Sequence, residues 1–170
     1  MLGQFTKGKT AVFIDAANIF YSQRTLGWRI SYEKLLEYLK SECDIVEASV
    51  YTATDTTRPE QLKFLQLLRR SGYIVRTKPV KKIQIAKGVY QWKGDFDVEL
   101  TIDMLDATSR YDTAILMSGD SDFAPIIDRI RYLGKRVIVM SVKGHVSKEL
   151  LERAKYVNLK KLRRYIELLK

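Results

Sequence analysis

The sequence predicts an α/β protein, a three-layer α/β/α sandwich built on a mainly parallel central sheet. Two observations carry the prediction. Short β-branched and aromatic runs alternate with longer stretches whose leucines and isoleucines recur at helical spacing. The first of the short runs, Thr10 to Asp15, is apolar until its closing acid, as a strand buried on both faces is. Strands alternating with helices imply right-handed crossovers. Numbering the five main predicted strands along the chain, the doubly wound order is 3-2-1-4-5, with strand 1 central.

The elements follow in order. After strand 1, Ser31 to Lys40 has leucines and tyrosines at helical spacing, with Ser31 as N-cap. Ile45 to Thr52 is strand 2. Arg58 to Arg70 is a helix with Pro59 in its first turn, stopped by Gly72. Tyr73 to Thr77 is strand 3. Residues 78–94 form an irregular basic insertion, in which two β-like runs flank Ala86-Lys-Gly88 as in a hairpin. Phe96 to Ser109 is a helix led by Asp97. Thr113 to Met117 is strand 4, Ser121 to Leu133 a helix closed by Gly134, and Arg136 to Val142 strand 5. A short helix spans about Ser147 to Ala154, and a basic amphipathic helix the tail, 158–170. With no repeat, low-complexity tract or linker, residues 1–170 read as a single domain.

Composition narrows the function classes. No apolar run approaches the roughly 20 residues needed to span a bilayer, and the first residues lack the pattern of a secretory leader. Cytoplasm is the expected compartment. One cysteine, Cys43, excludes an intramolecular disulfide and a multi-cysteine zinc site, and a lone His145 disfavours a His-rich metal centre. The formal net charge of +10 favours polyanionic partners, because Lys and Arg contacts to phosphate dominate nucleic-acid affinity. A lysine-rich soluble surface explains the charge equally well until the acidic residues are placed. No P-loop or glycine-rich dinucleotide fingerprint is present.

In the predicted topology strand order reverses between strands 1 and 4, where ligands of open α/β sheets bind. Strand 1 ends at Asp15, followed by Asn18; strand 4 runs into Ser118-Gly-Asp-Ser-Asp122. Asp15 after an apolar strand is costly to bury unless protonated, paired or metal-bound, or else it caps a following helical turn. Gly119 permits a tight turn. Asp120 and Asp122, two acids in three residues facing a third, repel each other unless a cation lies between them. Hard divalent cations take oxygen ligands, and Mg²⁺ uses few carboxylates. Asp97 is the fourth corner. Asp103 lies about 9 Å further along an ideal helix and is turned by roughly 120°, so both acids hardly ligate one ion directly, and one of them is expected to act through water or to orient another residue. Its apolar neighbours Ile102 and Met104 mark it as more than surface charge. Tyr21, Trp28, Tyr90 and Trp92 are candidate base-stacking aromatics, although Tyr90 and Trp92 are spaced as core residues are. Lys81, Lys82, Lys87 and Lys93 of the basic insertion are candidate phosphate contacts.

At these residues the chain resembles the NYN domain family, LabA-like branch, within the PIN-like nuclease superfamily. The matching stretches are AVFIDAANIFYS, KGDFDVELTIDML and YDTAILMSGDSDFAPIIDRIRYLGKRVIVMS. The resemblance implies a PIN-like sandwich and a metal-dependent ribonuclease. It implies Asp15, Asp97, Asp120 and Asp122 as metal-binding acids, with Mg²⁺ or Mn²⁺ as cofactor, and matches Asp103 and Asn18 to further site positions. The expected function is metal-assisted hydrolysis of RNA phosphodiester bonds; the alternative is a non-catalytic RNA-binding or regulatory module on the same fold. Single-stranded or flexible RNA is the expected partner, with a second copy of the chain as a candidate one and no membrane.

Overall fold

The computed structural model describes residues 2–55 and 57–169, apart from the side chains of Lys82, Ile83, Tyr90, Gln91, Trp92 and Lys93. After a 3-10 turn at Gly3–Phe5, strand β1 (Lys9–Asp15) leads into helix α1 (Ala16–Ser22) and a further 3-10 turn, Gln23–Thr25. There follow α2 (Tyr32–Glu42), β2 (Asp44–Thr54), α3 (Pro59–Ser71) and β3 (Ile74–Pro79). Strands β4 (Lys81–Ala86) and β5 (Val89–Lys93) pair antiparallel as a separate hairpin. Then come α4 (Asp97–Asp106), β6 (Thr113–Met117), α5 (Ala124–Tyr132), β7 (Arg136–Ser141), α6 (Lys148–Arg153), β8 (Lys155–Asn158) and the single turn α7 (Arg163–Ile166).

The main sheet has six strands in the order β3-β2-β1-β6-β7-β8, and every neighbouring pair is parallel. Its first five positions reproduce the order expected from the sequence, and β8 adds an edge. Side chains alternate between two cores, as period-two geometry requires. On one face Val12, Ile14, Ile115, Met117, Ile138 and Met140 pack with Ile19 of α1 and with Leu35, Leu36 and Leu39 of α2. On the other, Phe13, Leu116 and Val139 pack with Leu100 and Met104 of α4 and with Ile127 and Ile130 of α5. The sheet is thus sandwiched between helical layers, and both faces of its central strands are dry. Among the described residues no helix is long and apolar enough to cross a membrane.

Two segments differ from the sequence reading. The helical turn considered after Asp15 is a full helix, α1, and its side chain caps it by accepting from Asn18 N–H at 3.0 Å. The basic helix expected over 158–170 is instead the last residue of β8, a 3-10 turn at Leu159–Leu162 and the single turn α7. Leu159, Leu162 and Ile166 are buried, so the apolar spacing is real. A continuous helix does not follow from it, because the chain is pulled back at Glu167, which bridges to Ile30.

Candidate metal centre

The site forms where β1 and β6 end side by side. Their parallel register pairs Ile14 with Met117, so the next residues, Asp15 and Ser118, emerge together. Ser118 is fully buried and ties the two ends: its Oγ donates to Asp15 Oδ2 at 3.2 Å and accepts from Asp120 N–H at 3.3 Å. Asn18 adds a second tie, its Oδ1 accepting from Gly119 N–H at 3.0 Å.

Beyond this junction Asp120 caps the 3-10 turn Ser121–Phe123, accepting from Asp122 N–H at 3.0 Å. Asp97 enters from the other chain segment as the first residue of α4. Asp97, Asp120 and Asp122 each offer a carboxylate oxygen, all lying within 4.8 Å of one another. Asp15, expected as a fourth metal-binding acid, is not one of the three: both its oxygens are engaged, one by Asn18 and one by Ser118.

The electrostatics show how closely these charges are gathered. Asp97 is half-buried, and its carboxyl is pushed up to about 6, first by burial and then by Asp15, Asp120, Asp95 and Asp122. Burial also raises the carboxyl of Asp15, with Asp120 adding to the effect, against the hydrogen bonds from Asn18 and Ser118. Three hard oxygen donors with mutually repelling charges suit a divalent cation and disfavour an empty, fully ionised pocket.

Asp103 is placed elsewhere. Tyr51 donates its hydroxyl to Asp103 Oδ2 at 2.8 Å, and Arg76 Nε reaches the same oxygen at 3.2 Å. The acid is satisfied by β2 and β3 rather than directed at the other three. Trp28, a candidate for stacking, is 8% exposed and belongs to the core. Lys81 and Lys87 are exposed on the hairpin. The side chains of Lys82, Trp92 and Lys93 lie outside the described residues.

Two features went unread in the sequence. Ser118 was visible only as a residue beside Gly119, with no signal that its hydroxyl would join two acids. Gly119 itself is required for a reason other than turn conformation, since it is not among the positive-φ glycines. A Cβ there would lie 1.7 Å from His145 O and 3.0 Å from Val146 Cα. The loop after β7 packs on this glycine, with Ser147 N–H donating to Gly119 O at 2.9 Å.

A family model described as NYN domain matches residues 9–160. The chain is 32% identical over 167 residues to the "Low amplitude and bright protein LabA" of Synechococcus elongatus, an alignment covering 96% of this chain and 90% of that protein. A crystal structure of a protein of unknown function from Vibrio parahaemolyticus matches with a TM-score of 0.80 at 29% identity, over 96% of this chain and 98% of the other.

Proposed function

The chain belongs to the NYN domain family, in its LabA-like branch, and from that premise we propose that it is a metal-dependent ribonuclease acting at the Asp97–Asp120–Asp122 pocket. The carrying observation is the convergence of those carboxylates within 4.8 Å, from two separate chain segments. The family resemblance implies the same chemistry.

In this reading Asp97, Asp120 and Asp122 hold Mg²⁺ or Mn²⁺, and Asp15 adds negative charge from behind. A cation held there supplies Lewis acidity, neutralising charge on the phosphoryl oxygens and easing deprotonation of the attacking water. Ser118 and Asn18 keep Asp15 and the Gly119 turn in register, so the pocket is preorganised rather than assembled on binding. The exposed Lys81 and Lys87 of the hairpin, together with Lys82, Trp92 and Lys93, are the proposed contacts for the strand. Single-stranded RNA suits a crevice at a strand-end junction better than a duplex, whose backbone is rigid.

The test is a cleavage assay on single-stranded RNA with Mg²⁺, Mn²⁺ or EDTA, comparing the natural chain with Asp120→Asn. Cation-dependent cleavage is expected, reduced more than about a hundredfold in the variant while RNA binding persists. Equal cleavage by the variant overturns the assignment of the site. Binding without cleavage under any cation replaces the enzyme with an RNA-binding module of the same fold.

A further inference from the structure

Helix α1 leaves the metal pocket with one face buried and the other bare. Ala16, Ile19 and Ser22 are buried, whereas Ala17, Phe20, Tyr21 and Arg24 are exposed. The exposed set follows i, i+3, i+4, i+7 spacing, so it forms a single stripe running from the Asp15 cap to the 3-10 turn beyond α1. Phe20 is 48% exposed and Tyr21 60%. Their rings meet edge to face with centroids 5.7 Å apart. The Arg24 guanidinium lies over both, 5.4 Å from the Phe20 centroid and 5.2 Å from that of Tyr21. Among the described residues Arg24 has no carboxylate partner.

We propose that Phe20, Tyr21 and Arg24 form a stacking platform for an unpaired nucleobase of the RNA strand whose phosphate lies at the acidic pocket. The inference rests on the RNA-directed reading of that pocket and specifies how the strand is held there. Position is the first argument. Tyr21 is three residues after Asn18 on the helix, hence its surface neighbour, and Asn18 is bonded to Gly119 beside Asp120. Helical side chains lean towards the N-terminus, so the Tyr21 ring tilts back along α1 towards the acids. The Tyr21 Cα lies about 9 Å along the axis from that of Asp15. Chemistry is the second argument. Two adjacent, half-exposed aromatic rings beside a guanidinium that has no carboxylate partner offer π-stacking to a base and a charge to its phosphate, the combination used to bind single strands without sequence readout. A stable protein interface would engage about 20–30 residues a side, far more than two rings and an arginine supply.

The experiment measures binding of single-stranded oligoadenylate RNA to the full chain in EDTA by fluorescence anisotropy. An abasic oligonucleotide that keeps every phosphate serves as the comparison. Removing both rings, Phe20→Ala with Tyr21→Ala, should weaken oligoadenylate binding by about 5- to 150-fold. Binding of the abasic strand should stay unchanged. Tyr21→Trp should keep the natural affinity, and Arg24→Ala should lower the salt dependence by about 0.7 in slope. Because both rings are exposed, the melting temperature of the double variant should match that of the natural chain. Unchanged affinity for oligoadenylate in the double variant, or an equal loss on both strands, overturns the platform. The two proposals fail separately. Ring-dependent binding with no cleavage under any cation removes the hydrolytic reading and leaves the platform. Cation-dependent cleavage with an unaltered KM in the double variant does the reverse.

Discussion

If Asp97 is held in a pocket built for a cation, the protein without metal must be strained by it, and Asp97→Asn should relieve that strain. The Asp97 carboxyl rises from the ordinary 3.8 to about 6, through burial and the charges of Asp15, Asp120, Asp95 and Asp122. The folded chain therefore holds this proton more tightly than the unfolded chain, and stability falls as pH rises through that interval. Below it both states are protonated and the penalty vanishes; above about pH 6 it is present in full. The difference corresponds to about 3 kcal/mol at most, which screening of a partly exposed group reduces to about 1–2 kcal/mol. Asparagine keeps the shape and removes the charge. In EDTA at about pH 7.5, Asp97→Asn should melt about 2–8 °C above the natural chain, and at about pH 3, below the interval, the two should coincide. Cation at a hundred times its dissociation constant should stabilise the natural chain by about 2.7 kcal/mol and the variant by less, so that the gap narrows. Thermal melts followed by circular dichroism read all of these arms. A variant that melts with the natural chain at both pH values in EDTA, or that gains equally from the cation, refutes the reasoning.

Asp103→Asn tests the exclusion of Asp103 from the pocket. Loss of its partly exposed pairing with Arg76 should cost about 0–1 kcal/mol, and cation affinity by titration calorimetry should stay within about twofold of the natural chain. A loss matching that of Asp120→Asn would return Asp103 to the site. Gly119→Ala would drive a Cβ to 1.7 Å from His145 O, so the loop after β7 must move. Urea unfolding should register about 1–3 kcal/mol of destabilisation, and an unchanged midpoint would show that the backbones do not press together there.

The central strands β1, β6 and β7 were legible because they are buried on both faces and therefore keep apolar runs that survive inspection residue by residue. Strand β8 was not, since Lys-Tyr-Val-Asn is four residues long and sits at an edge, where no such run is demanded. The tail misled for the opposite reason. Leu159, Leu162 and Ile166 repeat like a helix, but the burial is achieved by two short turns held by the Ile30–Glu167 bridge. Helix α1 was seen only as a cap, because Ala-Ala-Asn-Ile-Phe-Tyr-Ser mixes strong and weak helix formers; packing of Ile19 against the sheet decides the matter. In the site, the strand ends predicted that Asp15 and the Ser118–Asp122 segment would come together, as the Ser118–Asp15 hydrogen bond shows. The fate of Asp103 depended on Tyr51 and Arg76, which come from strands 52 and 27 residues distant and share no periodicity with α4.

The overall charge and the pocket pull in opposite directions, and this opposition orders the proposed events. A chain of net charge +10 draws an RNA strand from a distance, while Asp97, Asp120 and Asp122 repel each phosphate that approaches them. Only a positive charge in the pocket removes the repulsion. A proton and the proposed cation are then rivals for Asp97: below about pH 6 the proton neutralises it, and above that value the carboxylate is free for the cation. In the proposed function RNA and cation, by contrast, would assist each other, and by linkage any gain in RNA affinity on adding cation must reappear as an equal gain in cation affinity on adding RNA. A platform beside the pocket fits that order, because Phe20 and Tyr21 can hold a base by stacking, which needs no cation, while the neighbouring phosphate waits for one.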